Sequence, residues 1–359
     1  MFKTYQLYII KLFFKKILLI SSIFLTLIII LSIFDEISFF KESEKNILLP
    51  FFLTLLNAPS TLFEIFPFIF LIATQFFFLE IINKEELEVF KIHGLNNLKI
   101  IKILFFSSII TGMIIVSFYY SFSSKFKFLY LDLKNSYSND NKYLAIVTEN
   151  GLWIKDEINE KILIINAGKI ENQYLKNISI TEFDSEFNLV QIIQSSKVNI
   201  SKKQWVIFSP IISKNNKSIN FEENIKINTH FDERKINSLF SNLSSLNIFQ
   251  LIKLGKDYET LGYSSLEVKS YLNRLVSFPI YLSLMTILAS IIMINIKRNK
   301  PLVFHVILGI FISVVIYYIY YLFNLLGKTE KIPLYSSTWL PLLLLTILVI
   351  IGLIRINEK

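Results

Sequence analysis

Long apolar blocks and one polar stretch alternate along the chain. A helix needs about 20 predominantly apolar residues to cross a bilayer, and six segments meet that requirement. All six are expected to be α-helices, because an isolated strand cannot satisfy its backbone groups in lipid. The predicted spans are residues 12–34, 48–82, 98–122, 275–296, 301–326 and 337–354.

The stretch between the third and fourth spans, about residues 124–274, is too long for a connecting loop and predicts a folded domain. Short runs rich in Ile, Val, Phe and Trp alternate there with Asn, Ser, Lys and Gly. Regular short strands of this kind predict an all-β domain, either jelly-roll-like or a sandwich. The expected strands are residues 161–165, 178–183, 189–193, 205–211 and 219–227.

The polar domain is expected to return to the membrane through one or two short helices within residues 245–272, where apolar residues have helical spacing. Its apolar interior would come from the strands, and the candidates are Ile164, Ile178, Ile180, Ile192, Val206 and Phe208. The chain is thus predicted to have three parts. These are residues 1–123 with spans one to three, residues 124–274, and residues 275–359 with spans four to six.

Basic residues near the span ends predict the orientation. If the N-terminus is cytoplasmic, the cytoplasmic segments contain thirteen lysine and arginine residues, whereas the two short outer loops contain four. This asymmetry predicts that both termini are cytoplasmic. The polar domain then lies outside, which in a bacterium with two membranes is the periplasm. An apolar run of 18 residues, 17–34, with no small-residue cleavage site favours a retained helix over a signal peptide.

Composition narrows the function classes. The chain is 53% hydrophobic and 18% charged, with a net charge of +9, which excludes a disordered chain, a fibrous chain and an ordinary cytosolic enzyme. The absence of cysteine excludes disulfides and thiol catalysis. His93, His230 and His305 are far apart in sequence, so a metal site is not expected.

One cytoplasmic connection is large enough to receive energy or a signal. Residues 83–94 predict a short amphipathic helix with Glu85, Glu86 and Glu88 near its start and Gly94 as its C-cap. Leu87, Phe90 and Ile92 would form its apolar side. The chain has no GxxxxGK[ST] loop, so a separate ATPase would hydrolyse ATP. The helix is interpreted as a docking site for such a motor; the alternative is a solvated connection.

Several short motifs occur in an order that resembles one membrane-protein family. Pro59 and Pro67, eight residues apart, precede an E-L-x-V-F-x-I-x-G segment that ends at Gly94. The sequence GLWIKD then appears at residues 151–156. The remaining motifs are ISITEFD at 178–184, Trp205, Lys300-Pro301 with Gly309, and STWLP at 337–341. This colinear set resembles the LptF/LptG (YjgP/YjgQ) lipopolysaccharide export permeases, and the GLWIKD segment resembles the LptG branch in particular.

The resemblance implies a non-enzymatic permease subunit of an ABC-type exporter. Such a subunit extracts lipopolysaccharide from the outer leaflet of the inner membrane and passes it through its periplasmic β-jelly roll toward the outer membrane. The implied partners are an LptB-like ATPase dimer that binds ATP and Mg²⁺, an LptF-like second permease, and LptC/LptA-like periplasmic β-jelly-roll proteins. The 84–94 segment would be the coupling helix in a groove of the ATPase. Its implied coupling residues are Glu86, Leu87, Phe90 and Gly94.

The chain departs from the family pattern at three places. His93 stands where a small residue is usual, and Glu85 replaces the usual Ser. A lysine near the outer end of span one approaches the lipid phosphates in the best-known members, whereas Asp35 and Glu36 occupy that region here. No phosphate-binding lysine is therefore carried over from the resemblance.

A substrate with several acyl chains and an anionic sugar head requires a cavity with apolar walls and a few cations at its mouth. Spans one and five would supply the walls, with Phe24, Ile28, Leu31, Phe34, Phe311, Val315, Ile319 and Phe323. The rim cations would be Lys41, Lys45, Lys328 and Lys331. The alternative is that the wall residues face ordinary lipid and the lysines are solvated. Glu64 and Glu80 in span two should face a cavity or a partner, because a carboxylate at bilayer depth is costly.

Three alternative functions follow from the same features. The chain could be an LptF-type partner of the same transporter. It could be a membrane receptor with a periplasmic ligand-binding domain, although its tail of about five residues after span six leaves no room for an output domain. An ABC permease of the lipoprotein-release or MacB type is less suitable, because its large insert follows the first span.

Overall fold

Six helices are long and apolar enough to cross a membrane within the part of the chain that the computed structural model describes. An antiparallel β region lies between the third and the fourth of them. The predicted six-span protein with an all-β insert is therefore confirmed, and the chain is a multi-pass membrane protein. The described residues are 3–40, 48–136, 152–158, 161–171, 173–214, 217–229, 231–233, 236, 242–260, 265–295, 301–329 and 331–357.

The spans extend beyond the apolar runs that predicted them, because helix propagation continues once a helix has formed, even where polar side chains begin. The second helix passes through Pro59 and Pro67 without a break. The spans are α1 (Thr4–Phe39), α2 (Leu48–Asn83), α4 (Asn97–Ile114) with a π-helical segment (Ile115–Tyr119) and α5 (Tyr120–Ser136), α7 (Leu266–Ile294), α8 (Leu302–Lys328) and α9 (Leu334–Asn357). A short helix, α3 (Glu86–Ile92), connects α2 to α4.

Two helices form the centre of the membrane unit, which comprises Met1–Lys127 and Leu266–Lys359. α2 packs against α1, α7 and α8, and α7 packs against α4, α8 and α9 as well. At the contact of α4 with α7, a Cβ added to Gly112 would lie 2.8 Å from the Cα atom of Pro279. The two backbones can therefore approach this closely only because position 112 is a glycine.

The second unit, Phe128–Ser265, contains the sheet. Its described strands form one antiparallel sheet in the order β1-β2-β3-β4-β5-β8, while β6 pairs with both β4 and β7. The strands are β1 (Leu152–Ile158), β2 (Lys161–Glu171), β3 (Tyr174–Phe183), β4 (Leu189–Asn199), β5 (Gln204–Phe208), β6 (Ile211–Lys214), β7 (Lys217–Asn220) and β8 (Ile225–Asn228). A 3₁₀ turn (Leu243–Ser245) and α6 (Ile248–Thr260) follow.

The sheet differs from the strand predictions in three places. The expected strand 219–227 is wrong, because a turn divides it into β7 and β8. Strand β1 was not expected, although it contains most of the GLWIKD motif. The expected strand 205–211 ends earlier, since Ser209 adopts a φ of 42° between β5 and β6.

Only part of the predicted interior is buried. Ile178 and Ile180 are buried, as predicted. The other four candidates, Ile164, Ile192, Val206 and Phe208, are only half-buried, and their sequence neighbours fill the interior instead. Side chains alternate between the faces of a strand, so an error of one residue moves a side chain to the other face. The buried neighbours are Ile165, Ile193, Trp205 and Ile207.

Candidate functional site

Helix α3 is short and has clear start and stop signals. Glu86 and Glu88 lie in its first turn, where the helix dipole favours negative charge. Gly94 follows the helix with a φ of 79°, and its N–H donates to the Lys91 carbonyl oxygen at 3.0 Å. The Leu95 N–H donates to the Phe90 carbonyl oxygen at 2.9 Å. These two bonds form a Schellman motif, in which the position of Gly94 requires a left-handed backbone.

Two of the predicted coupling residues contact the beginning of α1. The hydroxyl of Tyr8 donates to the Glu86 carboxylate, at 2.8 Å to Oε1 and 2.7 Å to Oε2. The Tyr8 ring also packs edge-on against Phe90, with centroids 6.3 Å apart. Sequence reasoning missed Tyr8, because nothing local indicates that it pairs with a residue 78 positions away.

The outward side of α3 differs from the predicted apolar side. Leu87 and Phe90 are half-buried, whereas Ile92 is 82% exposed and Val89 is 50% exposed. The prediction that Ile92 shares a face with Leu87 and Phe90 is wrong, because residues two or five positions apart do not align on a helix. The helix therefore presents two exposed apolar side chains, three positions apart, on one face.

Ion pairs of Glu80 hold the end of α2 next to α1. The Glu80 carboxylate pairs with Lys16 of α1 and lies 2.7 Å from the Lys84 ammonium. The same carboxylate raises the pKa of Lys84, through a hydrogen bond and its negative charge. Glu85 precedes α3 with a φ of 59° and forms no side-chain cap. The predicted costly carboxylate at Glu80 is thus compensated by two cations.

A cleft opens inside the membrane unit between α2, α7 and α8. Its cavity volume is about 90 Å³. Phe63 and Phe278 form a stacked pair in its wall, with centroids 4.6 Å apart. The residues that line it are Phe63, Glu64, Pro67, Arg274, Phe278, Tyr281, Tyr317, Tyr320, Tyr321 and Asn324.

Arg274 is the cation among the residues that line this cleft. The guanidinium lies over the ring of Tyr271, 4.8 Å from its centroid. Tyr281 and Tyr320 stack at a centroid distance of 5.0 Å. The Tyr281 side chain is 5% exposed, and its hydroxyl has no hydrogen-bond partner among the described residues. A buried hydroxyl normally finds a partner, so the cleft has unused hydrogen-bonding capacity.

This arrangement suits an anionic amphiphile. A charge inside a membrane span is costly and usually faces a cavity or a partner. A guanidinium binds phosphate or carboxylate oxygens through charge-assisted hydrogen bonds, while aromatic walls accommodate apolar groups. Glu64 lines the same cleft and is exposed, so it adds an opposing negative charge.

The predicted cavity walls lie elsewhere. None of the eight wall residues predicted in spans one and five lines this cleft. Leu31, Phe34 and Phe311 are each more than 60% exposed, and Val315 and Ile319 are also exposed. Phe24 and Phe323 are half-buried, and Ile28 is buried. Their role in a cavity stays a prediction.

The predicted rim lysines are described only in part. Lys41 and Lys45 lie outside the described residues, Lys328 ends α8, and Lys331 is exposed. Sequence reasoning also missed Arg274, because the predicted fourth span began one residue after it. The spacing of Arg274, Phe278 and Tyr281 along one helix face was the available signal.

The comparisons with known proteins agree with the membrane architecture. A family model described as "Lipopolysaccharide export system permease LptF/LptG" matches residues 7–355. That range includes the sheet and all but the outermost residues of the six spans. No curated protein sequence matches the chain.

Proposed function

The chain belongs to the LptF/LptG family and is therefore a lipopolysaccharide export permease subunit; we propose that it is the LptG-type subunit of an ABC exporter. In this proposal it extracts lipopolysaccharide from the outer leaflet of the inner membrane and passes it through the sheet unit toward the outer membrane. The GLWIKD sequence at residues 151–156 supports the LptG assignment.

The proposed orientation has both termini and α3 in the cytoplasm and the sheet unit in the periplasm. The excess of lysine and arginine near the ends of the spans on the α3 side supports it. In this orientation α3 faces the compartment that contains ATP. The proposed partners are an LptB-like ATPase dimer, an LptF-like permease and LptC/LptA-like periplasmic proteins. ATP and Mg²⁺ would bind to the ATPase.

The structure of α3 supports two roles in energy coupling: some of its residues would bind the ATPase, and others would transmit the movement to α1. Val89 and Ile92 are exposed on this short helix, so they can enter a groove of the ATPase. Glu86 and Phe90 contact Tyr8, so a displacement of α3 would be transmitted to α1. The single observation that carries the coupling role is this contact between α3, which has exposed apolar side chains, and the beginning of a membrane span.

Co-purification and export assays on α3 variants test this role. We expect Ile92→Asp to lower co-purification of the ATPase about tenfold, because central apolar contacts dominate binding energy. Glu86→Ala and Phe90→Ala should reduce lipopolysaccharide export, since both remove contacts to Tyr8. Phe187→Asp, the same type of change at an exposed position of the sheet unit, is the control. Unchanged co-purification and export in all three α3 variants would contradict the coupling role.

We further propose that the cleft around Arg274 contacts a phosphate of the lipid head, with the Tyr281 hydroxyl as a second donor. Arg274→Gln should lower the lipopolysaccharide that co-purifies with the protein about tenfold, since a hydrogen bond to a charged group contributes about 1.5–3 kcal/mol. Glu64→Gln should leave it unchanged or raise it, because a repelling carboxylate is removed.

Arg355→Gln provides the matched control, because Arg355 is exposed in the last turn of α9. A melting curve for each variant separates loss of lipid from loss of fold. Absence of lipopolysaccharide from the wild-type protein would contradict the permease function itself. Normal retention in Arg274→Gln would contradict only the assignment of the cleft.

A further inference from the structure

A second opening lies between α1 and α4, at the end of the membrane unit where both helices begin. The volume of this groove is about 430 Å³. Its mouth is polar and contains Tyr5 and Gln6 from α1 and Lys99 and Lys102 from α4. The Lys99 ammonium donates to the Gly94 carbonyl oxygen at 2.9 Å, which holds this cation at the mouth. Lys102 is exposed.

The remainder of the groove is apolar except for Ser107, whose hydroxyl donates to the Ile103 carbonyl oxygen of its own helix. Ile10 contributes from α1, and Ile103, Phe106 and Ile110 contribute from α4. Phe106 is 51% exposed and Ile110 is 58% exposed, so both are accessible from the membrane side. Between Lys102 and Ile110 a helix advances about 12 Å. This distance is close to the roughly 15 Å of one leaflet's share of the hydrocarbon core.

The polarity of the groove is therefore graded along the span. Two cations lie at one end, where the helix dipoles of α1 and α4 also direct partial positive charge. An apolar channel with the length of an acyl chain follows. A soluble anion would use only the first feature, and a neutral lipid would use only the second, whereas a phospholipid with an anionic headgroup uses both.

We propose that this groove binds one phospholipid with an anionic headgroup. Its phosphate lies at Lys99 and Lys102, and an acyl chain lies along Phe106 and Ile110. Basic pockets between membrane helices bind headgroups of this class. A zwitterionic lipid brings its own cation close to the two lysines, which weakens binding. The site is separate from the cleft at Arg274 and does not depend on lipopolysaccharide export; only the leaflet follows from the proposed orientation.

Native mass spectrometry of the full-length protein tests the proposal. The protein in detergent is titrated with phosphatidylglycerol and with phosphatidylcholine of the same acyl chains. We expect phosphatidylglycerol to bind at least about fivefold more tightly. Lys102→Gln should lower its affinity about fivefold, which is the contribution of one lysine near an anionic membrane surface. Lys15→Gln, which removes an exposed lysine of α1 outside the groove, should leave the affinity unchanged.

A second pair of variants tests the apolar end. Phe106→Ala should lower retention of long-chain phosphatidylglycerol, whereas Phe118→Ala should not, since Phe118 is also exposed but lies further along the same span, outside the groove. Equal retention of the two lipids, or equal effects within either pair of variants, would overturn the proposal. Displacement of phosphatidylglycerol by millimolar inorganic phosphate would assign the lysines to a soluble anion and would overturn it as well.

Discussion

The outer helix α1 and the central helix α7 show opposite relations between apolar character and burial. α1 contains the most apolar 18-residue stretch among the described spans, yet only 17% of that stretch is buried within the protein. α7 contains the least apolar one, and 72% of it is buried. α8 behaves like α1, with 17% buried. In a water-soluble protein the most apolar segment is expected in the core.

The difference follows from the solvent. Lipid tails are as apolar as leucine side chains, so an apolar helix gains little by turning away from the bilayer. Helices in the centre instead associate through small residues and interhelical hydrogen bonds. α7 supplies both kinds of contact to α4. The hydroxyl oxygen of Thr286 lies 2.9 Å from that of Ser108, and Pro279 packs closely on Gly112. Apolar character therefore marks the helices that face lipid or a partner, and polar or small residues mark the centre.

The largest expected effect comes from a void in the centre. Phe77 of α2 is fully buried and packs edge-on against Phe13, with centroids 6.3 Å apart. We expect Phe77→Ala to lower the free energy of unfolding by about 3–5 kcal/mol, the usual cost of such a truncation. Leu31→Ala on the exposed side of α1 is the control and should change it little. Unfolding in graded mixtures of detergents measures both, and equal losses would contradict the contrast between α1 and the centre.

A smaller effect is expected where two helices touch. Gly112→Val places a side chain against the backbone of Pro279, which cannot move aside as a flexible side chain can. Overpacking of this kind costs about 1–3 kcal/mol. Gly309→Val is the comparison and should cost less, because the three atoms nearest to an added Cβ there belong to the side chain of Gln75 rather than to backbone. A melting temperature for Gly112→Val equal to that of the wild type would show that α4 and α7 can separate freely.

The smallest effect is expected for the hydrogen bond between the hydroxyls of Ser108 in α4 and Thr286 in α7. Interhelical hydrogen bonds in membranes average only about 0.6 kcal/mol, so the coupling between Ser108→Ala and Thr286→Val should be of that size. A double-mutant cycle on the free energy of unfolding measures it. Thr346→Val serves as the control, since the Thr346 hydroxyl donates to the Leu342 carbonyl oxygen of its own helix. A coupling above about 2 kcal/mol would mean that polar contacts, rather than close packing, hold the centre together.

The spans and the sheet could be predicted because their signals are local. The length of an apolar run identifies a membrane span, and alternation of isoleucine with polar residues identifies a strand. The extent of each element is less local: α7 begins at Leu266, nine residues before its predicted start, because polar residues continued the helix. The expected strand 219–227 concealed a turn, since β-branched residues on both sides obscured it.

The candidate site was predicted only where it is continuous in sequence. Residues 84–94 contain the whole of α3, so its caps and acidic first turn were visible. The contact with Tyr8 and the cleft around Arg274 bring together residues that are 78 and 210 positions apart, counting from Tyr8 to Glu86 and from Glu64 to Arg274. No local pattern reports such pairs.

The sequence by itself determined the class of the protein: a membrane chain with six helices, one β insert and the motif order of its family. These properties depend on composition and short-range spacing, because the thickness of the bilayer sets the length of a span and the absence of water in it requires a helix. Only the tertiary structure decided which helices are central, which face of α3 is exposed, and which side chains of distant helices line the cleft with Arg274. An apolar helix gains little free energy by moving from lipid into the protein, so those arrangements depend on close packing between residues that are distant in sequence.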